Sequence, residues 1–159
     1  MPANQYEMKT KVGPLYIVAS DKGLQGIYWR KEFKSSVRTL SVSRPADKVI
    51  LKAVKQLEEY FAGKRKEFDL SLQFTGTPFQ NRVWKALSQI PYGRTVAYKD
   101  IAQRINNPRA VRAVGTANGE NPFCIIVPCH RVIAADGSIG GYGGGIAVKR
   151  RLLAIESAA

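Results

Sequence analysis

The spacing of apolar residues changes character once along this chain, at Thr75-Gly76-Thr77-Pro78. Upstream, Leu15, Ile17 and Ala19 alternate in the manner of a strand, and the breaks at Val12-Gly13-Pro14 and Ser20-Asp21-Lys22-Gly23 carry hairpin residues. A β-meander of Tyr6 to Thr10, Leu15 to Ser20 and Leu24 to Arg30 is expected. Residues 31–44 are polar and Ser-rich and read as a loop with at most one short element. From Pro45, the residues Val49, Ile50, Ala53, Val54, Leu57, Tyr60 and Phe61 recur at helical spacing until Gly63, which predicts a helix with one face on the sheet. Phe68, Leu70, Leu72 and Phe74 alternate again, as a further strand or extended segment would.

Downstream the elements become short helices. Thr77-Pro78-Phe79-Gln80 has the form of a capping box with proline at the first helical position, and Phe79, Val83, Trp84, Leu87 and Ile90 line one face as far as Pro91-Tyr92-Gly93. A helix from about Tyr98 to Ile105, a break at Asn106-Asn107-Pro108 and a helix from about Arg109 to Asn118 make a helix-turn-helix candidate. Phe123 to Val127 is an apolar run suited to a buried strand that Pro128 stops. The glycines between Gly137 and Gly145 form a loop, and Ile146 to Ile155 is helical with Val148, Leu152 and Ile155 inward. The expected class is α/β of the α+β kind: a domain 1–75 of antiparallel sheet and helix, and a mostly helical domain 76–159 with helix-turn-helix and active-site loop.

Lysine and arginine number 25 against 12 acidic residues, a net charge of +13, which favours a polyanionic partner. Nucleic acid leads, an acidic membrane surface is second, and solubility alone is the third possibility. The charge does not locate an interface, because 14 basic and 8 acidic residues precede Gly76 while 11 and 4 follow from it. In the second helix of the pair, Arg109 and Arg112, at i and i+3, share a face among the small residues Ala110, Ala113, Gly115, Thr116 and Ala117. Such a face suits either close packing in a core or close approach to DNA. No stretch approaches the ~20 apolar residues that span a bilayer, and the start MPANQYEMKTK lacks an apolar leader core, so a cytoplasmic protein is expected.

His130, the one histidine, follows Cys129 directly, and the second cysteine, Cys124, lies five positions upstream. One histidine and two cysteines do not complete a four-ligand structural zinc site, so no metal is expected. A thiol beside an imidazole is suited to nucleophilic chemistry once the chain turns to let the two side chains meet, with a third group orienting the ring. The carboxylates available in this half are Asp100, Glu120, Asp136 and Glu156. Residue types alone leave open a cysteine hydrolase and an adjacent Cys-His pair with no role.

Pro128-Cys129-His130-Arg131-Val132 resembles the active-site motif of the O6-alkylguanine-DNA alkyltransferases, the methylated-DNA–protein-cysteine methyltransferases. Pro91-Tyr92-Gly93 before Tyr98, Arg112-Ala113-Val114-Gly115, Asn121-Pro122, the Gly141-Tyr142-Gly143-Gly144-Gly145 loop and Glu156 fall in the family's order, so the likeness covers Thr77 to Glu156 strongly and the rest in outline. The resemblance implies that Cys129 accepts the alkyl group, that His130 takes the thiol proton through a water, that Glu156 holds the imidazole and that Asn121 braces the turn. It implies that Tyr98 crowds the target phosphate and assists protonation of the departing guanine. It makes Arg112 the residue that enters through the minor groove and fills the space of the flipped base, with Ala110, Ala113, Gly115 and Thr116 on the DNA-binding helix. It places the base among the carbonyls of Cys129 and Val132, with Tyr142 and the amide of Gly143 opposite and Lys149 close by, although a solvated lysine fits that position too.

Three departures accompany the likeness. Cysteines for the amino-terminal zinc site of some relatives are absent, Gly143 stands where many carry serine, and Cys124 occupies a pocket-edge position where some have proline. Cys124 is expected to be buried and inert. The implied activity needs no cofactor: a monomer that flips O6-alkylguanine out of double-stranded DNA and moves the alkyl group irreversibly to itself. The competing readings are a lesion-binding sensor without chemistry and a thiol hydrolase.

Overall fold

In a computed structural model, residues 3–157 are described, and the chain divides into two compact units, Met1–Gln73 and Phe74–Ala159. The fold is α+β. In the first unit, β1 (Asn4–Thr10), β2 (Gly13–Ser20) and β3 (Gly23–Tyr28) form an antiparallel sheet with β2 central. Tyr6 pairs with Ile17 and Tyr16 with Tyr28, and an irregularity falls between Val18 and Ala19. Every residue of β2 from Leu15 to Ser20 is buried, as expected of a middle strand covered on both faces. The helix α1 (Pro45–Phe61) covers one of them with Ala46, Ile50, Ala53, Leu57, Tyr60 and Phe61 inward.

Residues 68–74 keep the predicted period, with Phe68, Leu70, Leu72 and Phe74 half-buried between exposed neighbours, but they make no ladder. One isolated bridge, Leu24 to Leu72, marks their approach to the sheet. The Gln56 amide fixes the segment instead, donating to the Asp69 carbonyl at 3.0 Å and accepting from the Asp69 amide at 2.9 Å.

The second unit opens on the capping box. The Gln80 amide donates to Thr77 Oγ1 at 3.1 Å, and the Thr77 amide donates to Gln80 Oε1 at 2.9 Å, which starts α2 (Pro78–Leu87). Trp84 of α2 donates its indole N–H to the Ala117 carbonyl at 2.9 Å, which ties α2 to α4 (Val111–Gly119), and its ring packs against Phe74 at a tilt of 55°. Between them lie the two-residue β4 (Val96–Ala97) and α3 (Tyr98–Arg104). The helix pair of the sequence reading is present as α3 and α4, but Arg109 precedes α4. Ala110 donates to the Asn107 carbonyl at 3.0 Å, which holds Pro108 and Arg109 in a turn, so Arg109 and Arg112 do not share a helical face.

A larger correction concerns Phe123 to Val127, which is a tight turn and not a strand. The Val127 amide donates to the Phe123 carbonyl at 2.9 Å, and Ile125 sits at φ +72°, a region β-branched residues rarely enter. Apolar residues in a row are required by burial alone, so they do not distinguish a strand from a buried turn. The helix α5 (Ile146–Ser157) turns Lys149, Leu152 and Glu156 inward, while Val148 and Ile155 are half-buried. Among the described residues no helix is long and apolar enough to cross a membrane. We expect Thr77→Ala, which removes half of the capping box, to cost about 1 kcal/mol, seen as a lower urea midpoint by tryptophan fluorescence.

Candidate active site

Asn121 builds the segment that leads into Cys129. Its side-chain oxygen accepts from the Phe123 amide at 2.9 Å, and its Nδ2 donates to the Val127 carbonyl at 2.8 Å and the Phe123 carbonyl at 3.4 Å. One buried amide thus supplies the partners that a strand ladder would have given, and it holds Ile125 in its strained conformation. The chain then enters a 3₁₀ turn, Cys129–Arg131, with the Cys129 amide donating to the Val127 carbonyl at 2.8 Å. That turn is the bend needed for consecutive residues to serve one site. It continues into β5 (Val132–Ile133), which runs parallel to β4, with Val96 opposite Val132 and Ala97 opposite Ile133.

Because β4 leads directly into α3, the parallel pair brings Tyr98 to the exit of the cysteine turn. Asp100 accepts from the Ala97 amide at 2.8 Å and sets the start of that helix. Gly140, at φ +72°, lies against Tyr98 so closely that a Cβ there would meet the hydroxyl at 3.1 Å and Lys149 Nζ at 3.5 Å. Lys149 is fully buried, not solvated. Its ammonium donates to the Val132 carbonyl at 2.6 Å and the Gly141 carbonyl at 3.1 Å, so one acceptor expected for a substrate base already carries a bond.

Behind the cysteine lies a charged cluster. His130, with no exposed surface, joins its Nε2 to Glu156 Oε2 at 2.5 Å. Arg131 grips the same carboxylate with both ends of its fork, Nε to Oε1 at 2.7 Å and Nη2 to Oε2 at 3.1 Å, and gives Nη1 to the Ile90 carbonyl at 2.7 Å. Its guanidinium also stands over the Tyr92 ring, 5.6 Å from the centroid, and the Gly93 amide donates to Glu156 Oε1 at 3.3 Å. Burial works to raise the Glu156 pKa, but the His130 and Arg131 bonds override it and hold the carboxyl at about 2.

Burial lowers the His130 pKa despite the carboxylate beside it, so the ring is neutral near pH 7. An ionised carboxylate only accepts, so Nε2 carries the proton and Nδ1 is a bare lone pair. Nδ1 and the Asn118 side-chain oxygen are the buried polar side-chain atoms without a partner among the described residues. Cys129, 4% exposed, has its thiol pKa lowered, first by a hydrogen bond from Cys124, against burial, and further by Asn121 and the Lys149 charge. The Tyr98 hydroxyl is pushed up by burial and then by the Cys129 sulfur.

The structure therefore brings together Cys129, His130, Glu156, Asn121, Tyr98, Val132 and Lys149. Arg112, Ala113 and Thr116 are exposed on α4, Gly115 is half-buried over the Tyr98 ring, and Ala110 is the residue before the helix. Tyr142 is half-buried and Gly143 exposed in a turn closed by the Gly145 amide on the Tyr142 carbonyl at 3.0 Å. Cys124 departs from expectation, being half-buried and the foremost influence lowering the Cys129 thiol pKa. Sequence reasoning missed Arg131 and Asn118, whose amide donates to the Cys129 carbonyl at 3.4 Å. An arginine in an otherwise apolar run was the available signal, since a buried cation requires a buried anion.

Residues 78–158 match the family model described as the DNA binding domain of 6-O-methylguanine DNA methyltransferase, and residues 6–74 match that of its ribonuclease-like domain. The chain belongs to the 6-O-methylguanine DNA methyltransferase family. It is 46% identical over 154 residues to a methylated-DNA–protein-cysteine methyltransferase of Methanosarcina barkeri, covering 94% of both chains. The protein of that name from Mycobacterium bovis is 49% identical over 145 residues, 91% of this chain and 87% of its own. The crystal structure of Mycobacterium tuberculosis O6-methylguanine methyltransferase superposes with a TM-score of 0.84 at 42% identity, covering 99% of this chain and 94% of that one. Mycobacterium tuberculosis OGT in complex with DNA superposes with a TM-score of 0.84 at 46% identity, covering 98% and 93%.

In this member of the family the cluster around Glu156 makes folding sensitive to acid. Both Glu156 and His130 bind protons less readily folded than unfolded, so their contribution is complete above pH 6.5 and declines on acidification, the Glu156 part between pH 4.5 and about 2. Glu156→Ala, which strands the buried Arg131 charge, should cost about 3–5 kcal/mol at pH 7. Urea midpoints measured from pH 7 downward should fall less steeply below pH 4.5 in Glu156→Gln than in the native chain, and parallel profiles would contradict this account.

Proposed function

We propose that this chain repairs DNA by taking the alkyl group of O6-alkylguanine onto Cys129. The observation that carries this reading is the buried His130–Glu156 pair directly after the buried Cys129, in which the imidazole offers an unprotonated Nδ1 while its other nitrogen is committed to the carboxylate. Family membership makes methyl transfer to cysteine the reaction to be derived. The Cys129 proton passes to His130 Nδ1 through a water, and the imidazolium is stabilised by Glu156 without proton transfer to it. The thiolate attacks the alkyl carbon in line, a C–S bond forms, the C–O6 bond breaks, and the electron pair leaves with guanine.

The Tyr98 hydroxyl, its pKa raised, stays protonated and donates toward the departing base. Lys149 stabilises charge beside the sulfur while it holds the Val132 and Gly141 carbonyls in place, and Tyr142 with the Gly143 amide closes the opposite side of the base. The product is a thioether, which water does not cleave, so each molecule acts once.

The partner is DNA, and the exposed face of α4 is the proposed contact in its minor groove. Arg112 stands at the second residue of that helix, free to enter the stack in place of the flipped base, while Ala110, Ala113, Gly115 and Thr116 keep the backbone close to the sugar-phosphate walls. Residues 76–159 would hold both the DNA contact and the acceptor, with 1–75 as a supporting domain. We take the protein to act as a monomer in the cytoplasm.

Incubation with a duplex bearing one O6-methylguanine should add one methyl group per chain, mapped to Cys129 and ceasing at stoichiometric conversion. Unchanged mass with tight lesion binding would instead indicate a sensor, and turnover on an ester would indicate a hydrolase. Arg112→Ala should slow transfer by roughly 10- to 100-fold, as expected when unstacking costing a few kcal/mol loses its compensation, and should weaken overall binding less. Equal losses would remove the intercalating role.

A further inference from the structure

We infer that Cys124 and Cys129 form an oxidisable dithiol: a hydroperoxide converts the pair to an intramolecular disulfide that closes the alkyl acceptor reversibly. The inference accepts Cys129 as acceptor, and it rests on the turn that brings a second thiol to it. Cys124 bridges Val127 across that turn, and Val127 in turn receives the Cys129 amide at 2.8 Å. Both cysteines thus flank one residue, and Cys124 is the foremost influence lowering the Cys129 thiol pKa. Cys124 is half-buried and Cys129 nearly covered, which leaves an approach for a small oxidant through Cys124.

The features that prepare Cys129 for alkyl transfer also prepare it for oxidation, since a thiolate is the form that reacts with peroxide. Its sulfur attacks one peroxide oxygen, the O–O bond breaks, and Cys129 becomes a sulfenic acid while hydroxide leaves and is protonated to water. The Cys124 sulfur then attacks Cys129 Sγ, the S–O bond breaks, and the hydroxyl departs as water with the Cys124 proton. Two thiols and one hydroperoxide give one disulfide and two waters when the peroxide is hydrogen peroxide, the thiols supplying both electrons. Without a neighbouring thiol the sulfenic acid proceeds to sulfinic acid, which thiol reductants do not reverse. For a protein used once per lesion, that step discards an unused acceptor.

The reduced full-length chain should be treated with hydrogen peroxide and followed by intact mass, non-reducing peptide mapping and methyl transfer from an O6-methylguanine duplex. We expect loss of the two thiol hydrogens, a Cys124–Cys129 linked peptide, and transfer that disappears and returns on addition of dithiothreitol. In Cys124→Ser, Cys129 should gain two oxygens, and transfer, measured against that variant's own untreated rate, should not return. Cys124→Ala should behave likewise, since the missing sulfur is the cause. Sulfinic acid at Cys129 of the native chain without a linked peptide, or linkage only between chains, would overturn the proposal. A linked peptide in a chain that never takes up methyl groups would overturn the acceptor reading and leave the dithiol standing.

Discussion

A single carboxylate, Glu156, organises the region around the Cys129 turn. It receives hydrogen bonds from His130, from two nitrogens of Arg131 and from the Gly93 amide, and so links α5, the cysteine turn and the loop after α2. A buried charge is tolerated only when its bonds are complete, and here the carboxylate keeps its partners in register as much as they keep it ionised. The paired arginine also has a chemical consequence. With Arg131 neutralising the carboxylate, His130 is not drawn into a permanent ion pair, and burial leaves it neutral with Nδ1 unprotonated. A histidine facing the carboxylate alone would be held protonated more readily and would serve less well as a base.

Asn121 performs the corresponding service for the backbone. The turn from Phe123 to Val127 has few main-chain partners of its own, and the Asn121 amide supplies them through two short hydrogen bonds and one longer one. The result is a hydrogen-bonded approach to the 3₁₀ turn in which Cys129 and His130, adjacent in sequence, are both buried. Strain at Ile125 is thereby balanced by hydrogen bonds whose loss would leave several buried groups unsatisfied. The same turn brings Cys124 and Cys129 to either side of Val127. Lys149 and Tyr98 converge from α5 and α3, with Gly140 as the residue small enough to pass between them.

Much of this arrangement was legible in the chain. Alternation of Leu15, Ile17 and Ala19 and the helical spacing from Val49 to Phe61 identified the sheet and its covering helix, because burial of one face imposes those periods on local sequence. Thr77 and Gln80 announced the start of α2, because capping is satisfied within four residues. The order of motifs around Pro128-Cys129-His130-Arg131 pointed to the family. Where periodicity failed, a polar group was buried by long-range pairing. The apolar pattern put Val148, Leu152 and Ile155 inward on α5, but Lys149 and Glu156 share the buried face because distant carbonyls, a histidine and an arginine satisfy them. The strand read at Phe123 to Val127 failed for the same reason, since its bonding partner is a side chain and not a neighbouring strand.

The sequence by itself determined the period of the sheet strands and of α1 and the capped start of α2, because these depend on residue type and near neighbours. Tertiary structure decided which nitrogen of His130 bears the proton, that Arg131 rather than solvent balances Glu156, that Arg109 lies outside the helix bearing Arg112, and that Cys124 and Cys129 flank Val127 in one turn. Each of those depends on groups brought together across tens of residues, and the energy of a buried charge or hydrogen bond is set by what surrounds it in space, not by what precedes it in the chain.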